Sequence, residues 1–193
     1  LVPRNMTKAA GFYNTLLESD DPAIVVECLN GYRLKEKLPT NLSEIRTPIG
    51  IPEITQEGTD ITIVTYGSTW RIVSAAAKEL QKIGISCEVI DVQSLLPFDV
   101  NHKIVESITK TNKVLFVDED VSSGATAYMM QKVVEEQKAY FHLDCQPQTL
   151  SAKDHRSAYG EDGDYFSKPN TDDVFDKVYA IMNEYNPSKF TKI

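Results

Sequence analysis

Beyond residue 58, the chain alternates short apolar runs with segments whose apolar residues recur at helical spacing. The run "DITIVTYG" (Asp60–Gly67) is rich in β-branched residues and predicts a buried strand. The segment "STWRIVSAAAKELQKIG" (Ser68–Gly84) predicts a helix, because its apolar residues lie three and four positions apart. Strands that alternate with helices of this length form a parallel sheet that is covered on both faces. The expected fold class is therefore α/β, with a three-layer α/β/α domain around a mostly parallel sheet.

The same alternation continues towards the carboxyl terminus. It predicts strands at Ser86–Gln93, Lys113–Asp120 and Gln146–Ala152, and helices at Asp99–Asn112, Gly124–Gln137 and Thr171–Tyr185. The expected helix caps are Ser68 or Thr69 for the first helix, Asp99 for the second and Thr171 for the last. In such sheets, binding sites lie at the carboxyl ends of the strands.

The first 50 residues do not follow this pattern as a complete unit. They predict one helix (Asn5–Ser19) and one strand (Pro22–Leu29), followed by a polar connection that contains proline. One helix and one strand cannot close a core. We therefore expect residues 1–50 to be the tail of a preceding α/β domain with its linker, loosely held, and residues 51–193 to form the main domain. The opening Leu1–Arg4 resembles a protease-site linker but is interpreted as native sequence.

Composition excludes several classes of function. The 193 residues carry a formal net charge of -8, so a nucleic-acid partner is not expected, since such partners require a basic surface. No run of about 18 apolar residues is present, so no membrane span is expected. Three cysteines without a CxxC motif predict free thiols in a reducing cytoplasm.

Candidate site residues are few. The turn "TYGSTW" places Ser68 between a strand and a helix, where an anion can bind, although an ordinary cap is the simpler interpretation. His155, beside Asp154 in "AKDHRSAYG", is the best candidate for a site histidine. The acidic stretch "VDEDVSSGA" favours an exposed loop over a metal site, because no His or Cys lies at ligand spacing. The stretch "YGEDGDYF" (Tyr159–Phe166) resembles part of a calcium loop without its final Glu, which favours a solvated loop.

The connection "DVQSLLPFD" (Asp91–Asp99) has an unusual composition. It places the large apolar residues Leu95, Leu96 and Phe98, together with Pro97, on a loop that should lie at the surface. Either another part of the protein covers this loop or it is a contact surface. These four residues are therefore interface candidates.

The stretch from Gly58 to Asp120 resembles the carboxy-terminal domain of the transketolase superfamily. It is most similar to the beta chain of thiamine-diphosphate-dependent 2-oxo acid dehydrogenases of the pyruvate or branched-chain type. The residues Asp91, Ser94, Leu95, Pro97 and Asp99 stand in the family pattern, while Gln93 replaces its usual Arg. Residues 1–50, with "DPAIVVECLNGYR", are similar to the end of the preceding pyrimidine-binding domain.

The resemblance implies a parent enzyme that decarboxylates a 2-oxo acid oxidatively with thiamine diphosphate and magnesium. It then passes the acyl group to lipoyl-lysine on a dihydrolipoyl acyltransferase core. The chain is then a non-catalytic, carboxy-terminal part without catalytic, cofactor-binding or metal-binding residues. It would serve subunit assembly, in a homodimer or heterotetramer, and docking to the acyltransferase core. After the fourth strand the family motif Gly-x-Asp-Thr-Pro-x-Pro is replaced, and only Asp154 is kept.

Two alternatives stay open. The chain could belong to another enzyme of the superfamily, such as a transketolase or a deoxyxylulose-phosphate synthase. It could instead be a binding module that holds a small anion at the Tyr66–Thr69 turn. The identity of the acceptor, a lipoyl domain or an aldehyde, separates the first alternative from the dehydrogenase.

Overall fold

A computed structural model describes residues 1–156, 159 and 163–191 of the chain. Its strands are β1 (Glu53–Gln56), β2 (Ile61–Thr65), β3 (Cys87–Asp91), β4 (Val114–Val121) and β5 (Gln148–Ala152). Its α-helices are α1 (Met6–Leu16), α2 (Thr69–Lys82), α3 (Lys103–Thr111), α4 (Ala125–Met130), α5 (Gly163–Ser167) and α6 (Thr171–Tyr185). Short 3-10 turns lie at Leu29–Arg33, Leu42–Glu44 and Ala139–His142.

The sheet is mostly parallel, as predicted. Its strand order is β1-β3-β2-β4-β5, in which β2 to β5 run parallel and β1 pairs with β3 in the antiparallel direction. The edge strand β1 was not predicted, because its four residues have partly exposed side chains and no apolar run. The parallel strands bring their carboxyl ends to one edge of the sheet, where Thr65 of β2 stands beside Asp91 of β3.

Two buried apolar clusters lie on opposite faces of this sheet. One joins the sheet to α2 and α6 through side chains such as Ile63, Val73 and Val178. The other joins it to α3 and α4 through side chains such as Val64, Ile104 and Met129. The central strands β2 and β3 are buried along their whole length, which is why they read as continuous apolar runs. This confirms the predicted three layers.

Helix bounds largely follow the prediction, with two differences. The last helix, α6, occupies the predicted residues, but its cap is Asn170 instead of Thr171. The Asn170 side chain accepts hydrogen bonds from the amides of Asp172 and Asp173. The predicted helix at Gly124–Gln137 is α-helical through α4 and then widens into a π-helical turn at Gln131–Glu136.

The starts of α2 and α3 also differ in detail. Neither Ser68 nor Thr69 caps α2 with a side-chain hydrogen bond, because Ser68 Oγ donates to Glu119 instead. Gly84 follows α2 in the left-handed conformation, with φ +81°. The helix predicted to begin at Asp99 begins instead at Lys103, with His102 at its N-cap, but the Asp99 carboxylate does accept hydrogen bonds from the amides of Lys103 and Ile104. Among the described residues, none of the helices has the length and apolar character that crossing a bilayer requires.

The amino-terminal segment, residues 1–50, contains α1 but not the predicted strand. Pro22–Leu29 is extended over most of its length and is not part of the sheet. Its main-chain contacts are with the first residue of the chain: the Leu1 amino group donates to Ile24 O, and the Val26 amide donates to Leu1 O, both at 2.8 Å. The prediction was wrong here because a segment rich in β-branched residues forms a strand only where a neighbouring strand is available to pair with it.

Candidate functional site

The carboxyl edge of the sheet brings together the loops that the sequence singled out. The turn Tyr66–Ser68 follows β2, and the connection Val92–Phe98 follows β3. Glu119 and Asp120, predicted on an exposed loop, lie in the exposed carboxyl-terminal end of strand β4. The amino-terminal segment passes over the same edge, since the Val2 amide donates to Gln93 O at 2.8 Å. Two surface features result, one apolar and one acidic.

The apolar feature is built around the connection after β3. Leu96 is 75% exposed and Pro97 is also exposed, while Leu95 and Phe98 are half-buried. Hydrogen bonds hold the loop, because Ser94 Oγ donates to Pro97 O at 2.7 Å and Tyr128 OH donates to Leu95 O at 3.0 Å. With these hydrogen bonds in place, Leu96 points to the surface.

This loop forms one wall of an open groove of about 430 Å³, which we call the apolar groove. The opposite wall is the extended part of the amino-terminal segment, in which Ile24 is 79% exposed. The groove is lined by Leu1, Val2, Leu16, Ser19, Asp21, Pro22, Ala23, Ile24, Val26, Ile49, Leu95, Leu96 and Pro97. A mostly apolar lining of this kind is typical of contact surfaces.

The acidic feature is an open cleft of about 510 Å³ beside the ends of β2 and β4, which we call the acidic cleft. Tyr66 OH donates to Asp118 Oδ2 at 2.5 Å at its base. Burial raises the pKa of Asp118 and, together with the adjacent carboxylates, the pKa of the Tyr66 hydroxyl. The remaining polar lining includes Glu27, Ser68, Glu119, Asp120 and Lys168.

The charges of this cleft do not suit an anion. Ser68 Oγ, the predicted donor, is already engaged with Glu119 Oε1 at 2.8 Å. Lys168 is paired with the other oxygen of Glu119 at 3.2 Å. A bound phosphate would therefore face carboxylates on several sides, and the geometry does not favour the small-anion module.

The remaining weak candidates lie apart from this cleft's donors. Asp154 accepts from Ser122 Oγ at 2.6 Å, and His155 is exposed with its Nδ1 2.8 Å from Arg156 O. No hydrogen bond joins Ser68, Asp154 and His155 within the described part of the chain. The calcium-loop resemblance is described only in part, because its residues 160–162 lie outside the described residues.

Sequence reasoning missed one buried polar cluster at this edge. Arg4 Nη1 lies 2.6 Å from Asp91 Oδ2 and 2.8 Å from Glu53 Oε2, and Arg4 is only 8% exposed. Asp91 is fully buried, and burial raises its pKa to about 6 in spite of Arg4. The available signal was the acidic residue at the end of an apolar strand, since a buried carboxylate requires a partner.

A thiamine diphosphate and magnesium site does not fit these residues. Within residues 1–156, 159 and 163–191, no group of three or more His, Cys, Asp or Glu side chains could hold a metal ion. The carboxylates of the acidic cleft would repel a diphosphate.

Comparison with known proteins identifies the domain. Residues 50–169 match the model of the transketolase C-terminal domain. The chain belongs to the transketolase C-terminal domain family. It is 35% identical to the pyruvate dehydrogenase E1 component subunit beta of Acholeplasma laidlawii over 76% of this chain and 44% of that protein. It is 32% identical to the 2-oxoisovalerate dehydrogenase subunit beta of Bacillus subtilis over 80% of this chain and 46% of that protein.

This transketolase C-terminal domain protein spans about half the length of the curated relatives that it matches. Its fold is also that of a solved split-gene transketolase in an inactive beta4 tetramer. That structure superposes with a TM-score of 0.70 at 21% identity, covering 94% of this chain and 57% of that one. The fold and the family expected from the stretch Gly58–Asp120 are thereby confirmed.

Proposed function

We propose that this chain is the carboxy-terminal part of the decarboxylating component of a 2-oxo acid dehydrogenase. The support is its identity of 30–35% with beta subunits whose names specify pyruvate or 2-oxoisovalerate dehydrogenase. Both kinds of relative match over most of the chain, so the proposed substrate class is a 2-oxo acid. Free Cys28, Cys87 and Cys145 suit the reducing cytoplasm in which we place the enzyme.

Residues 1–50 would complete a domain that precedes the transketolase C-terminal domain. The extended part of this segment leaves Ile24, Val26 and Leu29 exposed, which is the character of a strand without its sheet. Thiamine diphosphate and magnesium would be held by other parts of the enzyme. The role of this chain in the reaction is then to assemble and position those parts.

The observation that carries the assembly role is the exposure of Leu96 beside the apolar groove. An apolar patch of this kind is unfavourable in water, at about 25 cal/mol for each Å² that stays exposed. A hydrogen-bonded loop that presents Leu96 and Pro97 at the surface is suited to a contact with another subunit or domain. The expected assembly is a homodimer or heterotetramer.

Leu96→Asp in the full-length enzyme tests this role. Because the interface would then bury the Asp carboxylate, we expect the association constant measured by sedimentation to fall by at least about tenfold. In the 193-residue chain, Leu96 is exposed, so the same change should move the melting temperature by no more than about 2 °C. Ile83→Asp, at an exposed apolar position after α2, is the matched control and should leave assembly intact.

Normal assembly of the Leu96→Asp enzyme would rule out the interface, and so would unfolding of the variant chain. Activity gives a second test. The purified chain with thiamine diphosphate and magnesium should decarboxylate no 2-oxo acid. Turnover above a heat-killed control would overturn the non-catalytic assignment.

Docking to a dihydrolipoyl acyltransferase core is the finer part of the proposal. In the full-length enzyme, the acyl group formed from the 2-oxo acid should appear on lipoyl-lysine, and the core should co-sediment with the enzyme. Transfer to an aldehyde acceptor with no lipoyl transfer would instead identify a transketolase-type enzyme.

A further inference from the structure

The first five residues, which we call the strap, lie between the two parts of the molecule. On one side Leu1 exchanges main-chain hydrogen bonds with Ile24 and Val26, each 2.8 Å long. On the other side the Val2 amide donates to Gln93 O at 2.8 Å. The strap thus bridges the extended part of the amino-terminal segment and the loop after β3.

Arg4 anchors the strap to the sheet. Its guanidinium contacts Asp91 of β3 and Glu53 of β1 through Nη1, at 2.6 and 2.8 Å, and lies 5.1 Å from the centre of the Trp70 ring. Its carbonyl accepts from Arg71 Nη2 at 3.3 Å. One buried side chain of the strap therefore contacts β1, β3 and α2 together.

The surrounding contacts make this anchor specific to Arg4. Lys8 Nζ also reaches Glu53, at 2.6 Å, but Lys8 and Glu53 are both partly exposed. Asp91 is fully buried, and its other oxygen accepts from the Gln93 amide at 3.2 Å. Because an exposed ion pair contributes little and a buried one is costly to break, the Arg4–Asp91 contact dominates.

The two walls of the apolar groove belong to different parts of the chain. Ile24 and Val26 come from the amino-terminal segment, and Leu95 to Pro97 come from the connection after β3. The strap hydrogen-bonds to Ile24 and Val26 in one wall and to Gln93, two residues before Leu95 of the other wall, so its position constrains the spacing of the walls. We propose that Arg4 is the positioning residue that holds the amino-terminal segment against the sheet and thereby sets the shape of the apolar groove.

This assignment goes beyond the proposed function and does not depend on it, because it concerns the groove's geometry and not its occupant. Hydrogen exchange of the full 193-residue chain tests it. Arg4→Met should speed exchange of the Val2 and Val26 amides by about tenfold or more, and the double variant Arg4→Met/Asp91→Asn, which leaves no buried charge unpaired, should do so while β2 keeps most of its protection. Arg46→Met, which removes an exposed pair with Glu18 in the same segment, is the matched control and should change neither.

A double variant separates positioning from general stability. Arg4→Met leaves Asp91 buried without its partner, so the melting temperature should fall. Adding Asp91→Asn removes the buried charge and should restore much of that loss, but the fast exchange at Val2 and Val26 should persist. Recovery of both properties would show that only charge burial matters and would overturn the proposal.

Two further results would also overturn it. One is unchanged exchange at Val2 and Val26 in Arg4→Met. The other is an equal loss of protection in β2 in the double variant, which would make Arg4 a general stability residue. If Arg4→Met alone fails to fold, the double variant Arg4→Met/Asp91→Asn decides: faster exchange confined to the strap and residues 22–28 supports the proposal, and unchanged exchange there rejects it.

Discussion

The amino-terminal segment and the sheet domain differ in how their apolar sequence is used. In the sheet domain, β2 and β3 are paired along both edges and buried on both faces. In the amino-terminal segment, residues 22–28 also contain a β-branched run, Ile24 to Val26, yet Ile24 and Val26 are exposed. Within the described residues, Val26 has the single amide of this stretch that donates to another main-chain group.

This difference shows that apolar side chains become buried only where other elements pack over them, whatever the composition of their own segment. The apolar side chains of β2 are covered because α2, α3, α4 and α6 lie on the two faces of its sheet. The amino-terminal segment buries few apolar side chains, of which Ala9 and Phe12 on α1 are the examples. The segment therefore depends on contacts with the sheet domain, chiefly those of Arg4.

The largest expected difference between the two regions is in hydrogen exchange. In the 193-residue chain, the amides of Ile24 to Glu27 should exchange on the order of a thousandfold faster than those of Ile61 to Thr65. The reason is that the first stretch opens without breaking a sheet, while the second requires global unfolding. Mass spectrometry of exchanged peptides measures both. Equal protection of the two stretches would show that the segment belongs to the cooperative unit.

Truncation of a buried aromatic ring in each region sharpens the comparison. Phe116→Ala in β4 should lower the free energy of unfolding by about 3–5 kcal/mol, because it opens a cavity in the core. Phe12→Ala in α1 removes an equally buried ring, but it should loosen the segment and leave the main thermal transition nearly in place. Calorimetry with exchange of α1 peptides tests this. A main transition lowered as far by Phe12→Ala as by Phe116→Ala would contradict the independence of the two regions.

The pH dependence of Asp91→Asn tests the contact between the regions. The pKa of Asp91 in the folded protein, about 6, lies above its ordinary value of 3.8 because of burial. The folded state therefore binds a proton more tightly than the unfolded state, so this group's contribution to stability decreases as pH rises through 6. Asn does not titrate. The stability of Asp91→Asn relative to wild type should rise by about 1.5 kcal/mol between pH 5 and pH 7.5.

Denaturant unfolding at the two pH values measures that difference. Asp60→Asn, at a partly buried carboxylate near the opposite edge of the sheet, serves as the control substitution. A relative stability of Asp91→Asn that falls as pH rises would mean that Arg4 favours the Asp91 carboxylate more than burial disfavours it.

Two glycines give the smallest expected effects. A Cβ on Gly11 of α1 would lie 2.3 Å from Thr47 Oγ1, so Gly11→Ala should push α1 away from Thr47 within the amino-terminal segment. Gly84 has open space around it but φ +81°, so Gly84→Ala should strain the turn after α2. Each should cost about 1 kcal/mol. Gly11→Ala should speed hydrogen exchange in peptides of α1, and Gly84→Ala should lower the main melting transition. The reverse pattern would contradict the separation of the amino-terminal segment from the sheet domain.

Local patterns predicted much of the sheet domain. The helix Thr171–Tyr185 was placed at its observed bounds, because its apolar spacing and its acidic first turn act within a few residues. The strand within Asp60–Gly67 was also predicted, and so was the role of Asp99 in accepting amide hydrogen bonds ahead of α3. The exposed Leu95–Phe98 loop stood out for the same reason, since its composition disagrees with its position after a strand.

The sequence by itself determined where helices and strands of the sheet domain form, because the periods of apolar residues act over short distances. The tertiary structure decided which segments are accepted as strands: β1 pairs with β3 despite its polar character, while Pro22–Leu29 does not enter the sheet. It also decided which charges meet. Arg4 and Asp91 are 87 positions apart, and no local pattern connects them. Their contact exists because the strap crosses the carboxyl edge of the sheet. Both charges are buried there, and a buried charge is stable only when it is paired.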